Sequence, residues 1–331
     1  MTDPMTDPRT ATETDPTTAT ETHLLEPTLT TATQIFSRDT PPVLTVRPGD
    51  SVRVRSLDAW GHLERQTVPG EDKPQLFVER KGHCLTGPIA VAGAKPGDML
   101  AVTFVSLTPD PWGFTNAGRK DDSFTRLLDV DGGVPQWLLW DVDVQQGTAS
   151  NQLGQTVTLN PFLGVVGVPP NSPGDFTTTP PRADGGGNID CKELTAGSTL
   201  FLPVTVPGAL LSVGDGHAAQ GDGEVGGTAI ECGMTTDLVL DVVVDAPLQT
   251  IHAITPTARI TFGFNADLNL ATAEALKAML TWMQDLYGME RTHALALAST
   301  VVDLRITQIA NETWGVHAVL GRDAVRESPA A

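Results

Sequence analysis

Three times along this chain, a strand-like run of apolar residues ends in a short turn that contains glycine, and a second such run follows. Alternation of apolar and polar residues on both sides of these turns predicts β-strands. A succession of short strands and tight turns is typical of a β-sandwich or jelly-roll, so we predict a mainly β fold. The repeats share local architecture, and we infer no sequence duplication from them. They span residues 43–57, 89–107 and 189–204, with turns at 47–50, 95–98 and 196–198.

The apolar period lengthens from two residues to three or four after Gly263. This spacing predicts an amphipathic helix that ends before Gly288. A shorter helix around residues 292–299 follows, and residues 304–309 and 315–320 then alternate as strands. We expect this smaller C-terminal α+β part to pack on the β-sandwich body. The helix positions at the longer spacing are Leu268, Ala271, Ala275, Met279, Met283 and Leu286.

Composition divides the chain into four segments. The first repeats Met-Thr-Asp-Pro and is dominated by Thr, Asp, Glu and Pro. Such a segment cannot repay the entropy that is lost on ordering, so we expect it to be disordered. Removing it should leave the melting temperature nearly unchanged. We assign residues 1–34 to this tail, 35–262 to a β-rich body that carries the site, 263–322 to the α+β part and 323–331 to a second tail.

Titratable side chains concentrate in residues 215–231, which read DGHAAQGDGEVGGTAIE. Two Asp, two Glu and one His this close together repel or neutralise one another and do not suit a dry core. They suit a bound cation or an acid/base set beside a substrate. Asp215 and His217 are two residues apart, so their side chains leave the same face of an extended strand. The alternative is a polar, glycine-rich surface turn.

The same segment, extended to Gly214, closely resembles the signature of the acetamidase/formamidase family of short-chain amide hydrolases. The resemblance covers roughly residues 40 to 322 and keeps the family's order. It implies a mostly β fold with a small α+β part, and an amidase activity. Many members carry Cys where Gly226 stands here, so a cysteine nucleophile at that position is impossible in this chain. Further matching segments are residues 85–100, 160–170, 185–204, 263–276 and 299–320.

Four residues are candidate metal ligands: Asp58, Asp190, Asp215 and His217. Asp58 follows a strand at a position where the family also has Asp, and Asp190 shares one face of an extended segment with Asn188. An Asp/His set of three or four ligands suits Zn²⁺ with an open coordination position. Ca²⁺ or Mg²⁺ is the alternative if water and carbonyl oxygens complete the site. For Asp58 and Asp190 a turn cap or Asx motif is equally compatible with the sequence.

Amide hydrolysis also needs a proton carrier and donors for the developing oxyanion. A bound divalent metal generates the nucleophile and polarises the carbonyl. Glu224 or Glu231 is the candidate proton carrier, and the alternative is that one of them orients His217. The Gln220 side chain, or the backbone amides of residues 221–223, could donate to the oxyanion.

Cys84, Cys191 and Cys232 are widely spaced and form no CxxC pair, so the sequence indicates neither a disulfide framework nor a thiolate zinc site. Each cysteine is interpreted as a small buried apolar residue. His317 lies on a predicted strand and is interpreted as a hydrogen-bonded core histidine.

The formal net charge of −19 limits the possible partners. Nucleic acid and anionic membranes would repel this protein, whereas a small neutral amide meets no electrostatic barrier. Neither a signal peptide nor an apolar run of about 20 residues is evident, so we expect a cytoplasmic protein. We also expect a homo-oligomer. The leading hypothesis is an amidase that uses a metal-activated water. The alternative is a non-catalytic, metal-stabilised β-sandwich that binds a small molecule or a partner.

Overall fold

The computed structural model describes residues 22–118, 123–130 and 133–326. The described elements are, in chain order, β1 (Thr22–Leu25), β2 (Ala32–Thr33), β3 (Ile35–Phe36), β4 (Leu44–Val46), β5 (Ser51–Ser56), β6 (Leu85–Val91), β7 (Met99–Pro109), β8 (Trp112–Ala117), α1 (Ser123–Leu127), β9 (Gln136–Asp143), β10 (Thr148–Asn151), β11 (Thr156–Thr158), β12 (Phe162–Gly167), β13 (Phe176–Thr177), β14 (Gly186–Asn188), β15 (Thr199–Pro203), β16 (Leu211–His217), β17 (Glu231–Cys232), β18 (Met234–Val243), β19 (His252–Ile254), β20 (Ala258–Asn265), α2 (Leu268–Tyr287), α3 (Arg291–Val301), β21 (Val302–Gln308) and β22 (Trp314–Gly321).

Two large sheets share one hydrophobic core. The nine-stranded sheet has the order β1-β5-β18-β7-β15-β19-β20-β22-β21. The eleven-stranded sheet has the order β11-β10-β9-β8-β17-β16-β12-β14, and β6 joins it beside β16 and also pairs with β2 and β4. Phe104 and Leu200 from the first sheet lie in the same buried cluster as Leu163 and Val213 from the second. The predicted mainly β fold is confirmed.

The repeated strand–turn–strand pattern forms the crossings between the two sheets. The connections β4–β5, β6–β7 and β14–β15 each leave the eleven-stranded sheet and enter the nine-stranded one. In each turn the fourth backbone N–H donates to the first carbonyl at 3.0–3.1 Å, and the glycine at the third position has a φ of 86–99°. A positive φ at that position is what a type II turn requires. These bonds run from Asp50 to Arg47, from Asp98 to Lys95 and from Ser198 to Thr195.

The C-terminal helices begin and end where the apolar spacing predicts. The Asp267 side chain accepts hydrogen bonds from the backbone N–H groups of Asn269 and Leu270, which caps the start of α2. Gly288 ends the helix with a left-handed φ of 60°. The apolar faces of α2 and α3 pack with β22 in a second buried cluster. The predicted long helix and the strand pair after α3 are therefore confirmed.

The expected segment boundaries and one predicted strand are wrong in three places. Residues 22–34, assigned to the disordered tail, include β1, which pairs with β5, and β2, which pairs with β6. The boundary between residues 262 and 263 falls inside β20, and the C-terminal strands continue the nine-stranded sheet. The strand that we predicted to begin at Ile189 does not form. β14 ends before it, at Asn188, and Asp190 has a φ of 53° that an extended strand cannot accommodate. Residues 1–21 and 327–331 lie outside the described residues.

Deleting residues 22–34 is expected to destabilise the protein, contrary to the expectation from composition. Leu25 is buried in the main core, and exposing a buried leucine costs about 1.5–3 kcal/mol. A chain that starts at residue 35 should therefore melt several degrees below one that starts at residue 22. Scanning calorimetry of these two chains makes the comparison, and equal melting temperatures would show that β1 and β2 add no stability.

In the part of the chain that the structure describes, none of the helices is long and apolar enough to cross a bilayer.

Candidate active site

The polar residues predicted to carry the chemistry lie on β16 and its neighbours, in the middle of the eleven-stranded sheet. His217 ends β16 and is paired with Phe162 of β12 on one side and with Glu231 of β17 on the other. Glu231 is in turn paired with Phe114 of β8. Directly paired residues of antiparallel strands place their side chains on one face of the sheet. The imidazole and the Glu231 carboxylate therefore occupy the centre of a row that has a phenylalanine at each end.

Two groups of three potential ligands share the His217 imidazole. Its Nε2 atom lies 3.4 Å from Asp215 Oδ1 and 3.4 Å from Glu231 Oε2. Asp190 and Glu224 form the second group with His217, and one potential ligand atom of each lies within 4.8 Å of the others. All five residues are buried, with exposed fractions between 1% and 7%. The structure thus brings together Asp190, Asp215, His217, Glu224 and Glu231, as the sequence predicts.

Three of these carboxylates lie on backbone that only glycine adopts readily. The φ angles are 53° at Asp190, 59° at Asp215 and 43° at Glu224. A left-handed φ is uncommon for a residue with a Cβ atom, and such positions cluster at functional sites. The turn at Glu224 is held by the C-terminal hairpin, because the Gly223 N–H donates to Thr307 O at 3.0 Å and the Ile309 N–H donates to Gly223 O at 2.8 Å.

Several buried atoms of this cluster have no hydrogen-bond partner among the described residues. They are His217 Nε2, Glu231 Oε2 and both carboxylate oxygens of Asp190. A buried polar atom without a partner costs about 1–3 kcal/mol, and more if it is charged. A divalent cation bound to these atoms would remove that cost. Carboxylate oxygens and an imidazole nitrogen are ordinary zinc ligands, so the residues fit such an ion.

Gln220 holds the imidazole in the orientation that a ligand needs. Its Oε1 atom lies 2.9 Å from His217 Nδ1, and its Nε2 group donates to the Asp190 carbonyl at 2.9 Å. If Nδ1 carries the hydrogen of the neutral ring, Nε2 presents a lone pair to the carboxylates. Both polar groups of Gln220 are therefore engaged. The assignment of Gln220 as an oxyanion donor is corrected to that of a positioning residue.

Asp58 belongs to neither group of potential ligands. Its Oδ1 atom accepts hydrogen bonds from the backbone N–H groups of Trp60 and His62, at 2.9 and 3.4 Å. Its Oδ2 atom lies 3.1 Å from His62 Nδ1. Asp58 thus fixes its loop as an Asx-type cap, which was the alternative open at this position. Its assignment as a metal ligand is corrected for that reason.

The charges of the cluster perturb one another strongly. Burial raises the pKa of Asp190 well above its usual value, and the neighbouring Glu224 adds to this effect. Burial likewise raises the pKa of Glu231 to about 8. Burial alone would lower the pKa of His217, but the Glu231 and Asp215 carboxylates raise it well above the usual range. Without a cation the cluster therefore keeps protons on groups that a metal ion needs deprotonated, so binding of the ion should release protons.

An aromatic cluster stands beside this site, and the sequence did not predict it. The rings of Trp60 and Phe114 are 4.8 Å apart, and those of Phe114 and Trp137 are 5.6 Å apart. The His62 ring lies 5.5 Å from Trp60. Because Phe114 is paired with Glu231, this cluster forms an apolar wall next to the carboxylate. The rings come from three distant segments, and no spacing in the sequence joins them.

Gly164 is a second feature that sequence reasoning missed. A Cβ atom there would lie 2.5 Å from Asp215 Oδ2, 2.7 Å from Asp190 Oδ1 and 2.8 Å from His217 Cε1. The Gly164 carbonyl also accepts the Asp190 N–H at 3.2 Å. Only a residue without a side chain leaves room for the three polar groups to meet. The position lies in the segment NPFLGVVGVPP, one of the segments that resembles the family.

Gly164→Ala is expected to lower metal affinity and turnover by about ten- to a hundredfold, as loss of ligand support does elsewhere. The added methyl group would push apart Asp215, Asp190 and His217. Titration of the metal-free protein and steady-state kinetics measure the two effects. Gly133→Ala is the matched control, since a Cβ atom there meets nothing within 4 Å. Unchanged affinity in the Gly164 variant would show that the groups need not approach so closely.

The chain is similar in sequence and in fold to proteins of one family. Residues 26–173 and 174–314 match the acetamidase/formamidase family. The chain is 28% identical over 280 residues to the formamidase of Methylophilus methylotrophus, an alignment that covers 67% of this chain and 68% of that protein. The crystal structure of an acetamidase from Bacillus halodurans is similar with a TM-score of 0.80 at 26% identity, covering 90% of this chain and 97% of the other. An acetamidase structure from Yersinia enterocolitica has a TM-score of 0.80 at 27% identity, covering 92% and 93%.

Proposed function

The chain belongs to the acetamidase/formamidase family of amide hydrolases, and we propose that it converts short-chain aliphatic amides such as formamide or acetamide to ammonia and the carboxylic acid. The non-catalytic alternative loses its support, because the family consists of enzymes that act on amide C–N bonds. The expected cytoplasmic location and homo-oligomeric state stay predictions.

The observation that carries this proposal is the shared His217 Nε2 atom. It lies 3.4 Å from two carboxylates and has no hydrogen-bond partner among the residues that the structure describes. We assign Asp190, Asp215 and His217 as ligands of a divalent ion, with Zn²⁺ as the first candidate and Ca²⁺ or Mg²⁺ as alternatives. When bound, the ion supplies polarisation of the amide carbonyl and a lowered pKa for an attacking water.

Glu231 is proposed as the proton carrier because its carboxylate is anchored on one side and open on the other. Its Oε1 atom accepts the Ala229 N–H at 2.9 Å, and Oε2 has no hydrogen-bond partner in the described part of the chain. Oε2 would take a proton from water as the oxygen attacks the carbonyl carbon. It would then return this proton to the amide nitrogen as the C–N bond breaks and ammonia leaves. Glu224, which also reaches the cluster, is the second candidate for this role.

The aromatic wall of Trp60, Phe114 and Trp137 suits a small substrate with an apolar end. An alkyl group against these rings would direct the amide toward the polar cluster beside Glu231. Because the proposed substrate is uncharged, the buried carboxylates do not repel it. This arrangement supports short aliphatic amides over charged ones.

Ammonia release from formamide, acetamide, propionamide and a charged amide such as succinamate tests the proposal. The neutral amides should be turned over, and treatment with a chelator should abolish turnover until a divalent ion is added back. Release of ammonia that survives complete removal of metal would exclude the metal-dependent mechanism. Absence of turnover on every amide, with metal bound, would exclude short amides as the substrate class.

A further inference from the structure

A second group of potential metal ligands lies one residue beyond Asp190 and takes no part in the proposed reaction. It consists of Cys191, Glu193 and His317, which join the segment after β14 to β22. The Cys191 Sγ atom lies 3.3 Å from Glu193 Oε2, and His317 Nε2 lies 3.3 Å from the same oxygen. Cys191 and His317 are fully buried, and Glu193 is half-buried.

The His317 ring is oriented as a metal-binding histidine would be. Its Nδ1 atom lies 2.8 Å from the Thr307 hydroxyl, and Nε2 is buried without a hydrogen-bond partner within the described ranges. If Nδ1–H donates to Thr307, the lone pair of Nε2 points at the Glu193 carboxylate. A lone pair and a carboxylate oxygen repel each other at 3.3 Å unless a proton or a cation lies between them.

Two separations between these ligand atoms are those expected between neighbouring ligands of a tetrahedral zinc ion. Bonds of about 2.0–2.3 Å to oxygen, nitrogen and sulfur in a tetrahedron separate neighbouring ligand atoms by roughly 3.3–3.7 Å. The sulfur and the nitrogen each lie 3.3 Å from the shared Glu193 oxygen. The Glu193 Oε1 atom is held by Arg305 Nη1 at 2.7 Å, so the carboxylate turns Oε2 toward the other two ligands.

We propose that Cys191, Glu193 and His317 bind a Zn²⁺ ion, separate from the ion of the active site. The thiolate makes this site selective, because sulfur ligands favour zinc over the harder Mg²⁺ and Ca²⁺. Cys191 would then be a metal ligand and not simply a small buried apolar residue. The ion would tie the segment that carries Asp190 to β22, two elements that are far apart in sequence.

Cobalt substitution tests this site without relying on catalysis. The purified full-length protein is stripped of metal and reloaded with Co²⁺, and a thiolate ligand then gives a sulfur-to-metal charge-transfer band in the near ultraviolet. We expect this band in the wild type and in Cys84→Ser, whose thiol is buried elsewhere. Cys232→Ser is a second control, because its thiol donates to the Gly216 carbonyl. Cys191→Ser should lose the band and about one zinc ion per chain.

His317→Gln provides an independent variant in case Cys191→Ser does not fold, and circular dichroism checks each variant. His317→Gln should weaken zinc binding while the thiolate band shifts or disappears. The band should persist in His217→Ala, whose substitution affects only the active-site ligands, so failure at one site is distinguished from failure at the other. Absence of the band in the cobalt-loaded wild type, or its persistence in Cys191→Ser, would overturn the proposal and leave a metal-free hydrogen-bonded network.

Discussion

Glu231→Gln is expected to lower turnover by about 10²- to 10⁴-fold while the metal content stays unchanged. The substitution keeps the size of the side chain and the acceptor for the Ala229 N–H, but it removes the carboxylate that lies 3.4 Å from His217 Nε2. A general acid or base that cannot titrate loses its contribution to the chemical step. Steady-state kinetics with acetamide, together with elemental analysis of the same sample, measure both quantities.

The control and a parallel variant define the role of each carboxylate. Glu290→Gln changes an exposed carboxylate whose side chain caps nothing, so its turnover should equal that of the wild type. If turnover falls in Glu224→Gln and not in Glu231→Gln, Glu224 is the proton carrier. A fall in metal affinity of about ten- to a hundredfold would assign Glu231 to the ligand set or its support. Full activity of both site variants would mean that neither residue carries the proton.

His217→Ala is expected to reduce turnover to the background rate and to lower the metal content by about one ion per chain. The imidazole is the only group common to both sets of active-site ligands in the described ranges, so its loss breaks both. Metal analysis after dialysis and ammonia release from the same preparation test this expectation. Asp190→Asn, which keeps the side-chain size, should weaken binding of the same ion.

Replacement of an exposed histidine is the control for the loss of metal and turnover that is expected in His217→Ala. His293 lies on the solvent face of α3, and His293→Ala should retain both metal and turnover. Equal metal content in His217→Ala and the wild type would contradict the ligand assignment. Loss of activity with metal retained would instead show that the imidazole acts on the substrate.

The sequence predicted the general location of the site because its main residues lie close together along the chain. Asp215, His217, Glu224 and Glu231 fall within one segment of 17 residues, and two β-strands bring its ends together. Asp190 lies near them because β14, which precedes it, is paired with β12 beside β16. Periodicity likewise predicted α2, since its apolar face and its capping residues are all local signals.

Features that depend on which atoms meet in the folded chain could not be predicted in this way. Asp58 and Gln220 were assigned chemistry, but hydrogen bonds to neighbouring groups take up their polar atoms. Gly164 reads as an ordinary strand glycine until three side chains from other segments converge on it. The composition of residues 22–34 predicts disorder, yet pairing with β5 and β6 orders strands there. The deciding contacts come from distant parts of the chain at Gly164 and in residues 22–34, whereas Asp58 is held by Trp60 and His62 of its own loop.

The attachment of the Glu224 turn to Thr307 and Ile309 has a consequence for when this enzyme becomes active. The chain is synthesised from its N-terminus at about 5–20 residues per second, so β16 and β17 exist before the hairpin that supports their loop. Until residue 309 has left the ribosome, the backbone bonds that hold Gly223 cannot form. A nascent chain, or a product that stops before β21, therefore has the residues of the active site without its geometry. The turn that carries Glu224 therefore gains its support only after β21 has been synthesised.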